Sequence, residues 1–272
     1  MVVRAGDAMI RCSGCEPLYP RLTSVSAVTG KFRSSDSFEP WGRSAKAASH
    51  MKVDILTLFP EMFSGPLDES IVGRARKTGI LDLTIHHLRN WAHDRHKTVD
   101  DRPFGGGPGM VLKPEPIFEA VESLRGPETR VILTAPGGRP FNQAVAGELA
   151  ALNHVILICG SYEGFDERIW EHLADDALSI GDYVLTNGAL PAMVIVDTVT
   201  RLLPGALGDA MSTSEESHGD GLLEYPHYTR PAEFRGWTVP ELLMSGNHSE
   251  IARWRQKESM RRTAEHRPDL WE

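Results

Sequence analysis

The sequence has few cysteines and no long apolar run, and both absences narrow what the protein can be. Of its 272 residues only three are cysteine: Cys12, Cys15 and Cys159. These are too few and too clustered for a disulfide-linked fold, and Cys159 ends an apolar run typical of a buried strand. No apolar run approaches the ~20 residues of a membrane span. We therefore expect a protein without a membrane segment, soluble in the reducing cytoplasm.

A net positive charge and a nucleotide-binding Walker loop are also missing. The formal net charge is −8 at pH 7, which argues against indiscriminate coating of nucleic acid. RNA stays open as a specific partner, because binding needs only a local basic surface. The glycine cluster GGGPG at 105–109 lacks the Gly-Lys-Ser/Thr ending of a Walker loop. A nucleoside-triphosphate site is therefore not expected.

Residues 1–50 lack a sustained apolar period and are rich in Ser, Gly and Arg. We interpret them as a disordered extension before Met51, where a strand-like run begins. The apolar core of a secretory signal is absent, composition leaves a transit peptide open, and an over-long gene start or an added sequence fits better. Cys12 and Cys15 could form half of a zinc site, but no second pair follows, so we predict no metal site.

From Met51 onward, strand patterns alternate with helix patterns, which predicts an α/β fold. The predicted strands are 53–59 and 81–88, and the predicted helices are 71–79, 116–124, 142–152, 167–173 and 194–203. Three further apolar runs each lead into a glycine-bearing loop: 131–134 before APGGR, 155–158 before CGSYEG, and the stretch SIGDYVLTNGALPAM at 179–193. Each run predicts a strand buried on both faces, as in a parallel sheet. Because ligands lie where such strands open into loops, the three loops predict one pocket.

Two other segments carry charge in a suggestive pattern. The first is HDRHKTVDDRPFGGGPGM at 93–110, which indicates a loop. A loop of about eighteen residues is usually functional, although a solvated surface loop is the alternative.

The second lies in the C-terminal part of the chain. From residue 217 onward we predict a separate helical domain, in which Ser249 caps a helix. Arg253, Lys257 and Arg261 recur every four residues on that helix. Such a stripe suits phosphate contacts, and an ordinary solvated face is the alternative.

Eight motifs occur in an order that resembles one family: FPEMF, HDRHKTVDDRPFGGGPGM, CGSYEGFDER, SIGDYVL, LPAM, RLLPGALG, PHYTRP and SGNHSEI. Together they are similar to the bacterial tRNA (guanine-N1)-methyltransferases, the TrmD family of the SPOUT superfamily. The likeness covers about four-fifths of the chain. It implies a parallel α/β sheet with a C-terminal trefoil knot at 51–205, a linker at 206–216 and a helical tRNA-binding domain at 217–272.

The resemblance implies S-adenosylmethionine as the methyl donor, held by the three glycine loops. The implied cofactor residues are Pro136, Gly138, Gly160, Tyr162, Glu163, Ile180, Gly181, Asp182, Tyr183, Val184, Leu185, Gly188 and Pro191. Tyr162 and Tyr183 could equally be packing aromatics. A magnesium requirement is also implied, although the sequence contains no distinct ligand set for it.

The implied reaction is methyl transfer to N1 of the guanosine at tRNA position 37, immediately 3′ of the anticodon. It requires a general base for the N1 proton and a partner for the charge that develops on O6. The resemblance assigns the charge-stabilising role to Arg201 and the base to the position of the family's aspartate, which is Glu216 here. Glu215 is the rival base, and a solvated acidic linker is the alternative to both.

The implied partners are tRNA and a second copy of the chain. The tRNA contacts would be Asp100, Arg102, Gly109, Arg253, Lys257 and Arg261, with the target base splayed out of its stack. Each active site would be shared between the two subunits of a homodimer. Three features depart from the family pattern. Glu216 replaces an aspartate, Ser161 replaces an arginine, and TNGAL at 186–190 replaces a glycine pair followed by a glutamate. They leave two alternatives: a SPOUT methyltransferase for another RNA, or a non-catalytic RNA-binding protein.

Overall fold

The structure is a computed structural model that describes residues 50–207, 216–219 and 221–271. The predicted disordered extension, apart from His50, lies outside the described residues. So do Cys12, Cys15, the rival base Glu215 and most of the predicted linker.

Five parallel strands form the central sheet. In chain order, the strands of the structure are β1 (Met51–Thr57), β2 (Leu81–His87), β3 (Asp100–Asp101), β4 (Val111–Leu112), β5 (Thr129–Pro140), β6 (His154–Cys159), β7 (Asp176–Ser179), β8 (Glu233–Phe234) and β9 (Trp237–Thr238). The sheet has the order β2-β1-β6-β5-β7, and every neighbouring pair in it is parallel. Strands β3 and β4 pair with each other, as do β8 and β9, both antiparallel. This sheet confirms the α/β fold with a parallel sheet that the sequence predicts.

Helices cover both faces of this sheet. They are α1 (Ser70–Lys77), α2 (Pro114–Leu124), α3 (Gln143–Ala150), α4 (Glu167–His172), α5 (Ala189–Leu202), α6 (Glu241–Met244) and α7 (His248–His266), with 3₁₀ turns at Pro60–Phe63, Leu88–Trp91 and Pro268–Trp271. Ile55 and Leu56 are consecutive in β1, contribute to two different core clusters and are both fully buried. Because successive side chains in a strand point to opposite faces, the sheet is buried on both sides.

The third apolar stretch does not form the predicted strand. The strand there is β7, which ends at Ser179, and residues 180–188 form a loop. The prediction followed the apolar character of Tyr183, Val184 and Leu185, yet Val184 is 82% exposed. The helix that follows starts at Ala189, earlier than predicted, because Pro191 fits its first turn, where no intrahelical N–H partner is needed.

Two further boundaries differ from the prediction. The first apolar run continues as β5 to Pro140, through an irregularity between Thr134 and Arg139 where its register with β7 shifts. The cap of α7 is Asn247 instead of Ser249: its side-chain oxygen accepts hydrogen bonds from the Glu250 backbone N–H at 3.3 Å and from the Ser249 hydroxyl at 2.9 Å.

The last long helix packs on the chain that precedes it. Thr263 of α7 accepts a hydrogen bond from the backbone N–H of Leu223 at 2.9 Å, and Arg262 donates to the carbonyl of Glu224 at 3.2 Å. Within the described ranges, no helix is both long enough and apolar enough to cross a bilayer. The trefoil knot and the separate C-terminal domain stay predictions.

Candidate functional site

A cavity of about 440 Å³ opens beside the irregularity in β5 and the ends of β6 and β7. Its walls come from residues 134–137 of β5, from the loop after β6, and from the loop between β7 and α5. These are the three glycine-bearing segments from which the sequence predicts one pocket. A volume of this size fits a small-molecule ligand.

Backbone hydrogen bonds hold the walls of the cavity together. The N–H of Gly188 donates to the carbonyl of Gly160 at 2.7 Å, and Ser161 and Asn187 form a β-bridge beside it. The buried hydroxyl of Thr134 lies 3.2 Å from the Ile158 carbonyl and 3.3 Å from the Gly188 carbonyl. Sequence reasoning did not single out Thr134, although a polar residue at the end of an apolar run is the signal that could have found it.

Glycine is required at this junction because the loops approach each other too closely for a side chain. A Cβ on Gly188 would lie 2.0 Å from the Thr134 hydroxyl oxygen and 2.7 Å from the Gly160 nitrogen. A Cβ on Gly160 would lie 2.9 Å from the Thr134 carbonyl oxygen. Glycine at both positions therefore lets the two loops meet backbone to backbone, without side chains at the junction.

All the predicted cofactor residues except Gly138 and Asp182 line the cavity. Gly138 serves packing instead, because a Cβ there would lie 2.5 Å from the backbone of Ala177 and Leu178 in β7. Asp182 lies in the loop that closes the cavity but does not line it. The walls also include Phe165 and Trp170, which sequence reasoning did not single out.

The two tyrosines of the cavity are not core residues. Tyr162 is half-exposed and has a positive φ of 59°, which is uncommon for a bulky residue. Tyr183 is also half-exposed, and its hydroxyl donates to the Ile180 carbonyl at 3.3 Å. Their exposure excludes the alternative that they pack in the core, and leaves both rings at the cavity wall.

The charged loop at 93–110 is joined to the same wall. The N–H of Glu163 donates to the Met110 carbonyl at 3.0 Å, and β3, which lies within the loop, pairs with β4 just after it. Gly109 lies against Glu163, since a Cβ on Gly109 would come within 2.3 Å of the Glu163 carboxylate. Asp100 lies in β3, and Arg102 is exposed. Of the predicted tRNA contacts in this loop, Gly109 is therefore the one that lies against a residue of the cavity wall.

The two predicted catalytic side chains touch each other. Arg201, near the end of α5, donates a hydrogen bond from its guanidinium to the Glu216 carboxylate, and both side chains are about one-third exposed. Pro191 at the other end of α5 lines the cavity. At 1.5 Å per residue, Arg201 lies about 15 Å further along the helix axis. Within one chain, the pair is thus one helix length away from the cavity.

The predicted basic stripe on α7 is partly neutralised. Arg253 pairs with Glu250 at 3.1 Å, and Arg261 pairs with Glu258 at 2.8 Å and with Glu265 at 2.6 Å. The hydrogen bonds that Arg261 donates to Glu258 and then to Glu265 raise its pKa. Lys257, between the two arginines, is exposed. Within the described part of the chain, no group of three or more His, Cys, Asp or Glu side chains is arranged so that it could hold a metal ion.

Similarity to known proteins extends over all the residues of this site. The family described as tRNA (Guanine-1)-methyltransferase TrmD matches residues 51–272. A tRNA (guanine-N(1)-)-methyltransferase of Dehalococcoides mccartyi is 59% identical over 225 residues, which is 82% of this chain and 91% of the relative. Proteins of the same name from Brevibacillus brevis and Geobacillus kaustophilus are each 58% identical, over 82% and 81% of this chain and 92% and 91% of their own lengths. The chain therefore belongs to the tRNA (guanine-1)-methyltransferase family TrmD, as its motifs predict.

Proposed function

We propose that this protein transfers a methyl group from S-adenosylmethionine to N1 of guanosine 37 in tRNA, immediately 3′ of the anticodon. The observation that carries the proposal is that a cavity walled by three glycine-bearing segments and a hydrogen-bonded Arg201–Glu216 pair occur together in a chain of this family. The cavity supplies a site for the donor, and the pair supplies a base and a cation for the acceptor.

The residues of the cavity fit the donor. Ile180, Tyr183 and Leu185 line the cavity, and their backbone groups would meet the polar edge of adenine once the Tyr183 hydroxyl and N–H release the Ile180 and Gly181 carbonyls. The half-exposed rings of Tyr162 and Tyr183 offer flat apolar surface beside it. When bound, S-adenosylmethionine supplies an electrophilic methyl group on a sulfonium centre.

Arg201 and Glu216 act on the guanine. In their mutual contact, the guanidinium donates to the carboxylate. Guanine O6 takes over a guanidinium N–H, so that Arg201 stabilises the charge that develops on O6. One oxygen of Glu216 is then free to accept the proton from N1 while N1 takes the methyl group.

An exposed apolar surface supports a homodimer. Leu190 and Val194 on α5 are exposed, and so are Met62 in the 3₁₀ turn that packs on α5 and Phe59 just before that turn. Exposed apolar side chains that lie together on one surface suit a two-fold contact between copies. A second copy that runs antiparallel along α5 would also carry its Arg201 and Glu216 across the ~15 Å to this chain's cavity. The site would then be shared between subunits.

A tRNA substrate also favours the cytoplasm as the location of the protein. The magnesium requirement stays a separate prediction. The ion could be held by the RNA, because Mg²⁺ is commonly bound through substrate phosphates and water instead of an all-protein cage.

The test is methyl transfer from labelled S-adenosylmethionine to a tRNA transcript with guanosine at position 37. We expect 1-methylguanosine at that position on nuclease digestion and mass spectrometry, and no label when position 37 is adenosine. A second transcript without the guanosine that precedes the target tests the sequence requirement. Transfer to a different RNA alone would favour the first alternative, and binding of donor and tRNA without transfer would favour the non-catalytic one.

A further inference from the structure

Residues 227–238, which we call the arm, lie between the Glu216 segment and α6. Every residue from 227 to 238 is exposed, yet β8 and β9 form a regular antiparallel hairpin within it. The two residues that connect the strands, Arg235 and Gly236, have φ values of 56° and 81°. Two consecutive positive φ values are those of a type I′ turn, which matches the twist of the two strands. The arm therefore has the geometry of a regular two-residue hairpin, although none of its residues is buried.

Two large aromatic side chains lie on this hairpin with most of their surface in solvent. Phe234 and Trp237 are opposite each other in register, so they share one face, and their ring centroids are 6.3 Å apart. Phe234 is 55% exposed and Trp237 is 70% exposed. A preformed pair of exposed aromatic rings is typical of a surface that binds a partner.

The charges on the arm indicate which kind of partner. The guanidinium of Arg235 lies 5.1 Å from the centre of the Phe234 ring, and Arg230 is also exposed. Glu233 is the single carboxylate from 227 to 238. Aromatic rings interleaved with arginines suit unpaired nucleotides, whose bases stack on the rings while their phosphates meet the guanidinium groups.

A second copy of the chain fits this arm less well. The cores of homodimer interfaces are depleted of charged residues, whereas here an arginine covers one of the two rings. The apolar surface that suits a second copy lies elsewhere, around Leu190 and Val194 on α5.

We propose that the arm 227–238 is a stacking platform for unpaired bases of the RNA substrate. Phe234 and Trp237 are the stacking rings, and Arg235 contacts a phosphate. This inference rests on the proposed function and names a surface that would hold the opened anticodon loop beside the target guanosine.

The test compares RNA binding by the full chain and by Phe234→Ala/Trp237→Ala. Two fluorescent probes of equal charge are used: an anticodon stem-loop, and a fully paired duplex of the same length. We expect the double variant to bind the stem-loop at least about ten-fold more weakly and the duplex as well as the unmodified chain does, because only unpaired bases can stack. The salt dependence of stem-loop binding should stay the same, since both substitutions leave the phosphate-binding side chains in place.

Three variants serve as controls. Phe234→Tyr/Trp237→Phe keeps both rings and should restore stem-loop affinity. Arg235→Ala should lower the salt slope by about one, the value for a single phosphate that the protein no longer neutralises. Trp271→Ala removes a comparably exposed aromatic ring outside the arm and should change neither affinity nor slope.

The outcomes separate this inference from the proposed function. Unchanged stem-loop affinity in the double variant, or an equal loss for the duplex, overturns the stacking platform even if the unmodified chain methylates tRNA. A change in molar mass on light scattering would reassign the arm to a contact between copies and overturn it too. If the rings prove necessary for stem-loop binding but the unmodified chain never methylates tRNA, the proposed function fails and the platform stands.

Discussion

The guanidinium of Arg201 hydrogen-bonds the carboxylate of Glu216, which lies fifteen residues further along the chain. This contact joins the C-terminal end of α5 to the first described residue after the gap at 208–215. It shows that a glutamate at this position, one methylene longer than the aspartate of the family pattern, reaches the arginine.

Replacing Glu216 tests its proposed role as the base. Glu216→Gln keeps the size of the side chain but removes the basic lone pair, so we expect turnover to fall by about 10²–10⁴, with binding of S-adenosylmethionine unchanged. Glu216→Asp keeps a carboxylate and should remain active. Single-turnover methylation rates, together with donor affinity by calorimetry, provide the measurement.

The matched control for this prediction is Glu215→Gln. A side chain adjacent in sequence usually points elsewhere, so this variant should turn over at close to the normal rate. If Glu216→Gln kept full activity and Glu215→Gln lost most of its activity, Glu215 would be the general base instead.

Gly188→Ala should disrupt the cavity. Its Cβ would meet the Thr134 hydroxyl at 2.0 Å and the Gly160 nitrogen at 2.7 Å, so the loop before α5 has to move. We expect weaker binding of S-adenosylmethionine and a loss of unfolding free energy of about 1–3 kcal/mol. Gly147→Ala in α3 is the control, because a Cβ there meets nothing within 4 Å, and it should be neutral or slightly stabilising. Equal donor affinity in both variants would contradict this close packing of the two loops.

Neutralising Arg253, Lys257 and Arg261 tests the stripe on α7. We expect weaker tRNA binding and a salt slope lower by about one for each phosphate that the helix no longer neutralises, with donor affinity unchanged. Lys257→Ala alone should account for most of the effect, because the two arginines are already paired with glutamates. Binding titrations at several salt concentrations measure the slope. An unchanged slope in the triple variant would make the stripe an ordinary solvated face.

A variant that begins at Met51 should fold and methylate as the full chain does. The strand is tied in from its first residue, since the Met51 N–H donates to the Ile80 carbonyl at 3.0 Å and the Lys52 N–H donates to the Asn153 carbonyl at 2.8 Å. Residues 1–50 lack the apolar pattern that offsets the entropy of ordering. Thermal unfolding and methylation rates of the two forms are compared. An insoluble or inactive short form would show that the extension is structural.

The last prediction concerns a buried carboxylate in the middle of β1. Asp54 accepts hydrogen bonds from His86 and His154 at 2.7 Å each and pairs with Lys52 at 2.9 Å. Burial alone would raise its pKa, but these three partners outweigh burial and hold the pKa well below its ordinary value of 3.8. The ionised carboxylate therefore stabilises the fold above about pH 4, and this contribution is lost as the pH falls below that value toward the lowered pKa.

Asp54→Asn should lower the unfolding free energy by about 2–4 kcal/mol at pH 7, because it removes a buried charge with three partners. It should also flatten the loss of stability between about pH 4 and pH 2. Urea unfolding at several pH values measures both effects. Wild-type stability at pH 7 in the variant would contradict the assigned role.

Much of the fold and the site could be predicted from local patterns. Four-residue apolar runs followed by glycines indicated parallel strands and a pocket at their ends, and the residues of CGSYEG and SIGDYVL do meet around one cavity. The prediction failed where an apolar residue is not buried, as at Val184, and where a glycine serves packing between strands, as at Gly138. Hydropathy and glycine content do not distinguish these cases, because each depends on what lies across the fold.

The sequence by itself determined the alternation of strands and helices, the glycines that let the loops meet, and the family to which the chain belongs. Hydrophobic periodicity and ordered motifs are properties of short stretches of sequence, so they can be recognised without knowing the three-dimensional structure. Only the tertiary structure decided that Arg201 touches Glu216, that Asp54 meets histidines from two other strands, and that Phe234 and Trp237 stay in solvent. These relationships join residues from different elements, and packing of the whole chain, not local preference, sets which side chains come within reach of one another.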